Sequence, residues 1–436
     1  MFINDIGKCG MGYKKRIIDG LLDINMQAFG ATWIKGPKGC GKTTSAKQKA
    51  KTVVEFQDEE YRDNLLMIGE ISPKKLLLGE KPILFDEWQD VPKLWGAIRK
   101  DVDDTGKKGQ YILTGSSSKN IDTPHTGTLR ISQLKMYPMS LWESEESNGS
   151  VSLKELFERP NSFDGCKSNL SMDDIIYSIC RGGWPGTLFI KNNDTKLQLA
   201  RDLFKQTYSV DISHVDGVKR NARWAQGILQ SYARNICTTA ATKTIYGDVK
   251  ANHNIGESTF FEYIDALKKL FIIDDIDAWS PAIRSRTAIQ SSPKRNFIDP
   301  SIAVAAMGLS PDYFDKDFQT LGFLFESLCI RDLKIYASAF DGRMSYYRDR
   351  YGLEADGVLH LSDGRYALIE FKLGESGIEE GAKHLCEIES LVRGYNEKER
   401  QNHIRMPDLK LVITATQFGY QRDDGVLVIP IGCLKD

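Results

Sequence analysis

The tightest constraint on this chain is a short run near its start, Gly36-Pro-Lys-Gly-Cys-Gly41-Lys42-Thr43, which fits the pattern GxxxxGK[ST]. Glycines at these positions let backbone N–H groups converge on a phosphate, and a helix starting just after them adds positive potential. A lysine at position 42 reaches β and γ phosphates, while the Thr43 hydroxyl suits a magnesium ion. The pattern needs a buried strand before it and a helix after it. Ala31 to Lys35 supplies the apolar strand, and the polar-apolar run from Thr43 to Val54 supplies the helical side. Gly36, Gly39, Cys40, Gly41, Lys42, Thr43 and Thr44 are therefore the expected contacts of ATP. A purely structural glycine turn leaves Lys42 without a role.

A second half of the same site is expected at Ile83-Leu84-Phe85-Asp86-Glu87. A carboxylate at the end of a buried strand holds magnesium through its waters, which suits Asp86, and Glu87 is placed to polarise an attacking water as the catalytic base. Tyr111 to Leu113 reads as a third strand, followed by Thr114-Gly115-Ser116, where Ser116 is the expected polar contact to the water or the γ-phosphate. Arg99 and Arg130 are candidates for neutralising phosphoryl charge, with a surface role as the alternative for each. Strand, crossover and strand at these intervals predict an α/β module with a parallel sheet.

The chain is 436 residues long, more than one hydrophobic core usually organises. Its 58 Lys+Arg against 59 Asp+Glu leave a formal charge of -1, so any nucleic-acid surface must be local. Eight widely spaced cysteines contain no CxxC, which excludes a recognisable zinc motif and predicts free thiols in a reducing compartment. No apolar stretch approaches a membrane span, so the expected location is cytoplasmic with no membrane partner. An oligomer or a partner protein stays open.

The run Lys81-Pro-Ile-Leu-Phe-Asp86-Glu87-Trp88-Gln89-Asp90-Val-Pro92-Lys-Leu-Trp95, with Gly109-Gln-Tyr-Ile-Leu-Thr-Gly-Ser-Ser117, resembles a large prokaryotic family of uncharacterised AAA-like P-loop ATPases. The stretches Ile131–Leu141, Arg181–Gly186 and Ser292–Ser301 resemble the same family. The resemblance implies a multidomain α/β fold: an AAA-like P-loop NTPase domain, a helical and winged-helix middle, and a carboxy-terminal restriction-endonuclease-like domain. The expected boundaries are 1–150 for the ATPase, 151–215 for a helical linker or lid, 216–300 for the winged helix and 301–436 for the nuclease-like domain. It also implies that Arg130, after the loose segment His125-Thr-Gly127-Thr-Leu, is a candidate arginine finger.

Residues in the last third support that outline independently. Asp356 precedes Ile369-Glu370-Phe-Lys372, and residues two apart on a strand share a face, so Glu370 and Lys372 point together. Asp356 joins them from the adjacent strand across a hairpin near Asp363-Gly364, giving the D…ExK layout of a phosphodiesterase. Asp356 and Glu370 are the expected ligands of Mg2+ or Mn2+, Glu326 on the preceding helix can face the same ion, and Lys372 is the expected catalytic partner. Glu354 shares the parity of Asp356, so either carboxylate can be the ligand. A domain that keeps this fold as an adaptor without cleavage is the alternative.

Helices followed by a hairpin at 284–298 outline a winged helix. Arg284, Arg286, Lys294 and Arg295, extended by Lys268 and Lys269, are the expected contacts to double-stranded DNA phosphates. Three readings follow: an ATPase coupled to DNA binding, with or without metal-dependent cleavage, a nucleotide-dependent regulatory or tethering protein with a silent nuclease-like domain, or a protein-remodelling ATPase that acts without nucleic acid.

Overall fold

The structure, a computed structural model, describes residues 12–115, 127–281, 291–398 and 403–436. The chain divides into two compact units. One comprises Met1–Pro138 with Asp211–Lys219 and Asp265–Phe271; the other comprises Met139–Val210, Arg220–Ile264 and Ile272–Asp436.

The first unit is built on five parallel strands: β1 Ala31–Lys35, β2 Thr52–Glu55, β3 Ile83–Asp86, β4 Tyr111–Gly115 and β5 Ile131–Lys135. Their order is β2-β3-β4-β1-β5. Side chains alternate across a strand, and the two faces bury different sets. Trp33, Phe85, Leu113 and Tyr111 pack with Leu94, Trp95 and Ile98 of the helix Lys93–Thr105. Ile34, Leu84 and Ile112 pack with Ile18 and Leu22 of the helix Ile17–Ala28 and with Ala46. Register pairs Lys35 with Gly115 and Glu55 with Asp86, so the carboxyl ends of β1, β3 and β4 lie side by side. The run expected to be helical to Val54 stops at Lys47, and Thr52-Val53-Val54 pairs as a strand. Three β-branched side chains suit a pleated, half-buried edge better than a helix.

The second unit holds β6 Val151–Ser152 paired with β14 Leu434–Lys435, and a larger sheet. That sheet contains β7 Cys166–Lys167, β8 Gly342–Arg348, β9 Glu354–Leu361, β10 Tyr366–Lys372, β11 Leu409–Thr414, β12 Phe418–Gln421 and β13 Leu427–Pro430, in the order β7-β12-β13-β11-β10-β9-β8. β8, β9 and β10 form an antiparallel meander, and β11 lies parallel to β10 after the crossover helix Ile378–Lys398. Preceded by the helix Phe318–Ser338, the segment reads helix, three strands, helix, strand, as the hydrophobic pattern predicts.

In the middle of the chain lie the helices Ala222–Arg234, Thr242–Asn252 and Glu257–Lys269. The hairpin expected at 284–298 takes a different form. Its described pairing joins Ile273 to Phe297 and Ile276 to Lys294, antiparallel, so the first arm lies upstream of Arg284. Arg284 and Arg286 lie outside the described residues. Lys294 and Arg295 are not DNA contacts: they are 1% and 4% exposed and held in ion pairs. Burying a charge is tolerable only with such partners, and the sequence pattern does not show that they exist.

The same rule shapes the core of this unit. Arg331 is buried between Asp299 and Asp332, at 2.9 and 2.7 Å. Asp299 also accepts from the Gly183 amide, and Asp332 from the Leu141 amide, each at 2.9 Å. One guanidinium thus organises three distant stretches of chain. Arg331→Met leaves two buried carboxylates uncompensated and should lower unfolding free energy by about 3–5 kcal/mol, read as a shifted midpoint in urea denaturation.

Candidate functional site

At the end of β1 the chain turns through 36–41 into the six-residue helix Lys42–Lys47. Gly39 and Gly41 have φ of 80° and 100°, in the left-handed region that side chains avoid. A Cβ on Gly36 would lie 2.3 Å from the Met136 carbonyl oxygen, so that position also excludes a side chain. Cys40 is fully buried beneath the loop, and Thr44 is exposed on the helix. The Lys42 ammonium is folded onto the loop, donating to the carbonyls of Gly36 at 3.1 Å and Pro37 at 2.9 Å.

Asp86 closes the arrangement. Its Oδ1 accepts from the Thr43 hydroxyl at 2.6 Å and from the Thr114 hydroxyl. The loop after β1 and the ends of β3 and β4 therefore meet at one carboxylate oxygen. Glu87 follows with φ of 54°, and its carboxylate accepts from the Gln89 amide, a buried residue absent from the sequence-based site. Trp33, Trp88 and Trp95 pack mutually, with centroids 5.0–6.0 Å apart, and set the position of the turn after β3. Magnesium fits the oxygen donors of Thr43 and Asp86, a hard-ligand set. Ser116 lies outside the described residues.

Arg130 is elsewhere. The Ala31 amide donates to its carbonyl, which puts Arg130 at the entry end of β1, opposite the phosphate loop. Its Nε pairs with Asp103 at 2.7 Å. It is not part of this chain's own nucleotide site, because a strand's length separates it from Lys42.

In the second unit the expected carboxylates do converge. Lys372 Nζ lies 2.7 Å from Glu370 Oε2, and the Phe371 amide donates to Asp356 Oδ2 at 3.1 Å. Between them and Glu326 sits a residue the sequence reading placed on DNA: Lys294. Its ammonium is 2.7 Å from Glu326 Oε1, 3.1 Å from Glu354 Oε1 and 3.7 Å from Asp356 Oδ1. Burial works against the Lys294 charge, but the carboxylates of Glu326, Asp356 and Glu354 outweigh it and raise its pKa well above the usual lysine value. Burial pushes Glu326 up to about 8 while Lys294 pulls it back. Burial and then the Asp356 charge push Glu370 up to about 8, opposed by Lys372. Among the described residues no group of three or more His, Cys, Asp or Glu side chains is arranged to hold a metal ion. The expectation that Glu326, Asp356 and Glu370 ligate one does not fit this arrangement, because an ammonium lies among them.

Comparison with known proteins bears on these two regions differently. Residues 28–145 match the model of a family described as AAA domain. The chain carries an AAA-type P-loop ATPase domain. It is an ATP-hydrolysing enzyme. Residues 172–313 and 321–434 match families described as domains of unknown function, DUF8612 and DUF4143. No curated protein matches the chain. Among solved structures, a Walker-type ATPase of Pyrococcus abyssi shares 14% identity over 67% of this chain and 96% of its own, with a TM-score of 0.42. A signal-transduction ATPase with numerous domains and a tetratricopeptide repeat sensor, from Pyrococcus horikoshii, shares 13% identity over 76% of this chain and 47% of its own, at 0.22. Drosophila ORC bound to DNA shares 14% identity over 69% and 89%, at 0.17. Scores this low carry no argument. Among the described residues no helix is long and apolar enough to cross a membrane.

Two supports of the ATPase loop escape sequence reading. Arg16 donates to the carbonyls of Cys40 and Tyr137, each at 2.9 Å, and Tyr13 shares a 2.9 Å hydrogen bond with Ser45. In the sequence they sit in a plain basic stretch, Tyr13-Lys14-Lys15-Arg16, with no motif to mark them. Asp211 also reaches Lys38 of the loop, at 3.5 Å. Gly36→Ala should weaken ATP binding about tenfold or more, the equivalent of ~1.4 kcal/mol of loop strain, in a titration with a fluorescent ATP analogue.

Proposed function

We propose that this chain is a nucleotide-dependent regulatory or tethering ATPase whose carboxy-terminal module keeps a nuclease-like layout without cleaving DNA. The observation that carries the reading is the cluster of the buried Glu326 and Glu370 with the half-buried Glu354 and Asp356, whose carboxyl groups are paired from within the chain by Lys294 and Lys372. The order of helix, three strands, helix and strand supports a nuclease-like reading of the module, and the ion pairs argue against metal chemistry in it.

At the ATPase site the roles follow from position. Lys42 exchanges the carbonyls of Gly36 and Pro37 for phosphate oxygens, for which an ammonium is the stronger partner. The loop amides from Gly39 to Thr44 cradle the phosphates. Thr43 and Asp86 would hold magnesium, which would supply neutralisation of the charge that develops in phosphoryl transfer. Glu87 aligns the attacking water and takes its proton as the water oxygen bonds to the γ-phosphorus and the bond to the β-phosphate oxygen breaks. Gln89 holds the Glu87 carboxylate in the conformation described, so it sets how readily the base turns toward the water.

ATP turnover and plasmid integrity should be assayed together, with magnesium or manganese. Wild type should hydrolyse ATP and leave the plasmid intact, and Lys42→Ala should abolish turnover. Metal-dependent nicking that disappears in Asp356→Ala would sink the non-cleaving reading. Glu87→Gln should retain ATP binding and lose about 100-fold or more in turnover, the usual contribution of a positioned base, in steady-state phosphate release.

A further inference from the structure

The carboxylates of the second unit are hard oxygen donors, and the cation among them belongs to the chain. An ammonium offers three donors and no acceptor. Those of Lys294 face Glu326 Oε1 at 2.7 Å, Glu354 Oε1 at 3.1 Å and the Asp356 carbonyl at 3.3 Å, with the Asp356 carboxylate at 3.7 Å. The Tyr346 ring centroid is 5.5 Å away. Lys294 is 1% exposed, so water has no comparable claim on its charge.

The segment that delivers this side chain is fixed on both sides. Lys294 and Ile276 exchange reciprocal backbone hydrogen bonds, each at 2.9 Å. Arg295 is anchored to the Ala240 carbonyl, Asp275 and Thr242 at 2.8–3.1 Å. Asn296 accepts from Ser327, one residue along the helix from Glu326. A long, flexible lysine held this way is not a passing visitor from the surface.

We propose that the Lys294 ammonium is the resident cation of this carboxylate site, standing where a divalent metal would bind, so that its presence rather than any loss of ligands keeps the site from metal chemistry. The inference rests on the nuclease-like reading of the module. It adds that the oxygens facing the ammonium, those of Glu326, Glu354 and Asp356, are hard donors of the kind divalent cations take, and that one side chain fills the space between them. Removing that side chain leaves the buried Glu326 and the half-buried Glu354 and Asp356 without their shared counter-charge, which is the charge a divalent ion carries.

The test uses the full, nucleotide-free chain and Mn2+ alone, with binding read by electron paramagnetic resonance of the free ion and stability by thermal unfolding. Lys294→Met should gain one Mn2+ per chain, and the added Asp356→Asn substitution should remove it. Its unfolding temperature should rise by several degrees with Mn2+, because an ion that binds only the folded state stabilises it. Wild type should show neither effect. Mn2+ binding by wild type that Asp356→Asn abolishes overturns the proposal whatever the variants do. A folded Lys294→Met that ignores Mn2+ also overturns it. Lys294→Gln, which keeps a donor, serves where the methionine variant fails to fold; failure of both to fold even with Mn2+ counts against a metal-ready ligand set. Plasmid nicking by wild type would fell the non-cleaving reading as well, whereas an intact plasmid with unresponsive Lys294 variants fells this inference alone.

Discussion

Asp86 Oδ1 accepts hydrogen bonds from two threonines, Thr43 on the phosphate loop and Thr114 at the end of a neighbouring strand. Because parallel register aligns the carboxyl ends of β1, β3 and β4, this one oxygen ties together the three segments that a nucleotide must contact. Charge-assisted hydrogen bonds of this kind are stronger than neutral ones. They hold Thr43 in place before any phosphate arrives. Lys42, by contrast, is held among the described residues by loop carbonyls rather than by a charge pair, and can exchange them for phosphate. The loop is thus pre-shaped where rigidity matters and yielding where the ligand must compete.

The second unit follows a different rule. Its buried cations among the described residues, Arg181, Lys294, Arg295 and Arg331, each have a carboxylate partner 20 to 35 residues away in the chain. Isolated buried charges would be prohibitive, so the segment from 294 to 299 keeps its conformation only while the helix Phe318–Ser338 and the strand β9 supply partners. Specificity of packing is the gain, and a surface able to attract phosphate is what is given up: two cations that read as a basic wing have their charge spent inside.

Much of the nucleotide site is legible without coordinates, because its chemistry is written in short contiguous runs. Gly36 to Thr43 demands a turn between strand and helix, and Asp86-Glu87 ends an apolar strand. The meander β8 to β10 and the crossover helix Ile378–Lys398 also follow from alternating and helical spacing. Arg16 and Tyr13 were not legible, since their partners on the loop, Cys40 and Ser45, lie far along the chain, and nothing in its run marks the Gln89 amide as the partner of Glu87. Arg130 is the converse case: its sequence neighbours fit a pattern, but its place at the entry end of β1, away from this chain's own phosphate loop, comes from the fold.

Sequence alone determined the phosphate loop, its acidic partner strand and the pairing of Glu370 with Lys372, because local geometry dictates where residues one turn or two strand positions apart must point. Tertiary structure alone decided the fate of Lys294, which lies 32 residues from Glu326 and 62 from Asp356. Nothing local distinguishes a lysine bound for solvent from one bound for a buried carboxylate cluster. That choice depends on which distant charges the fold brings within a few ångströms, because a buried charge is tolerated only where such partners meet it.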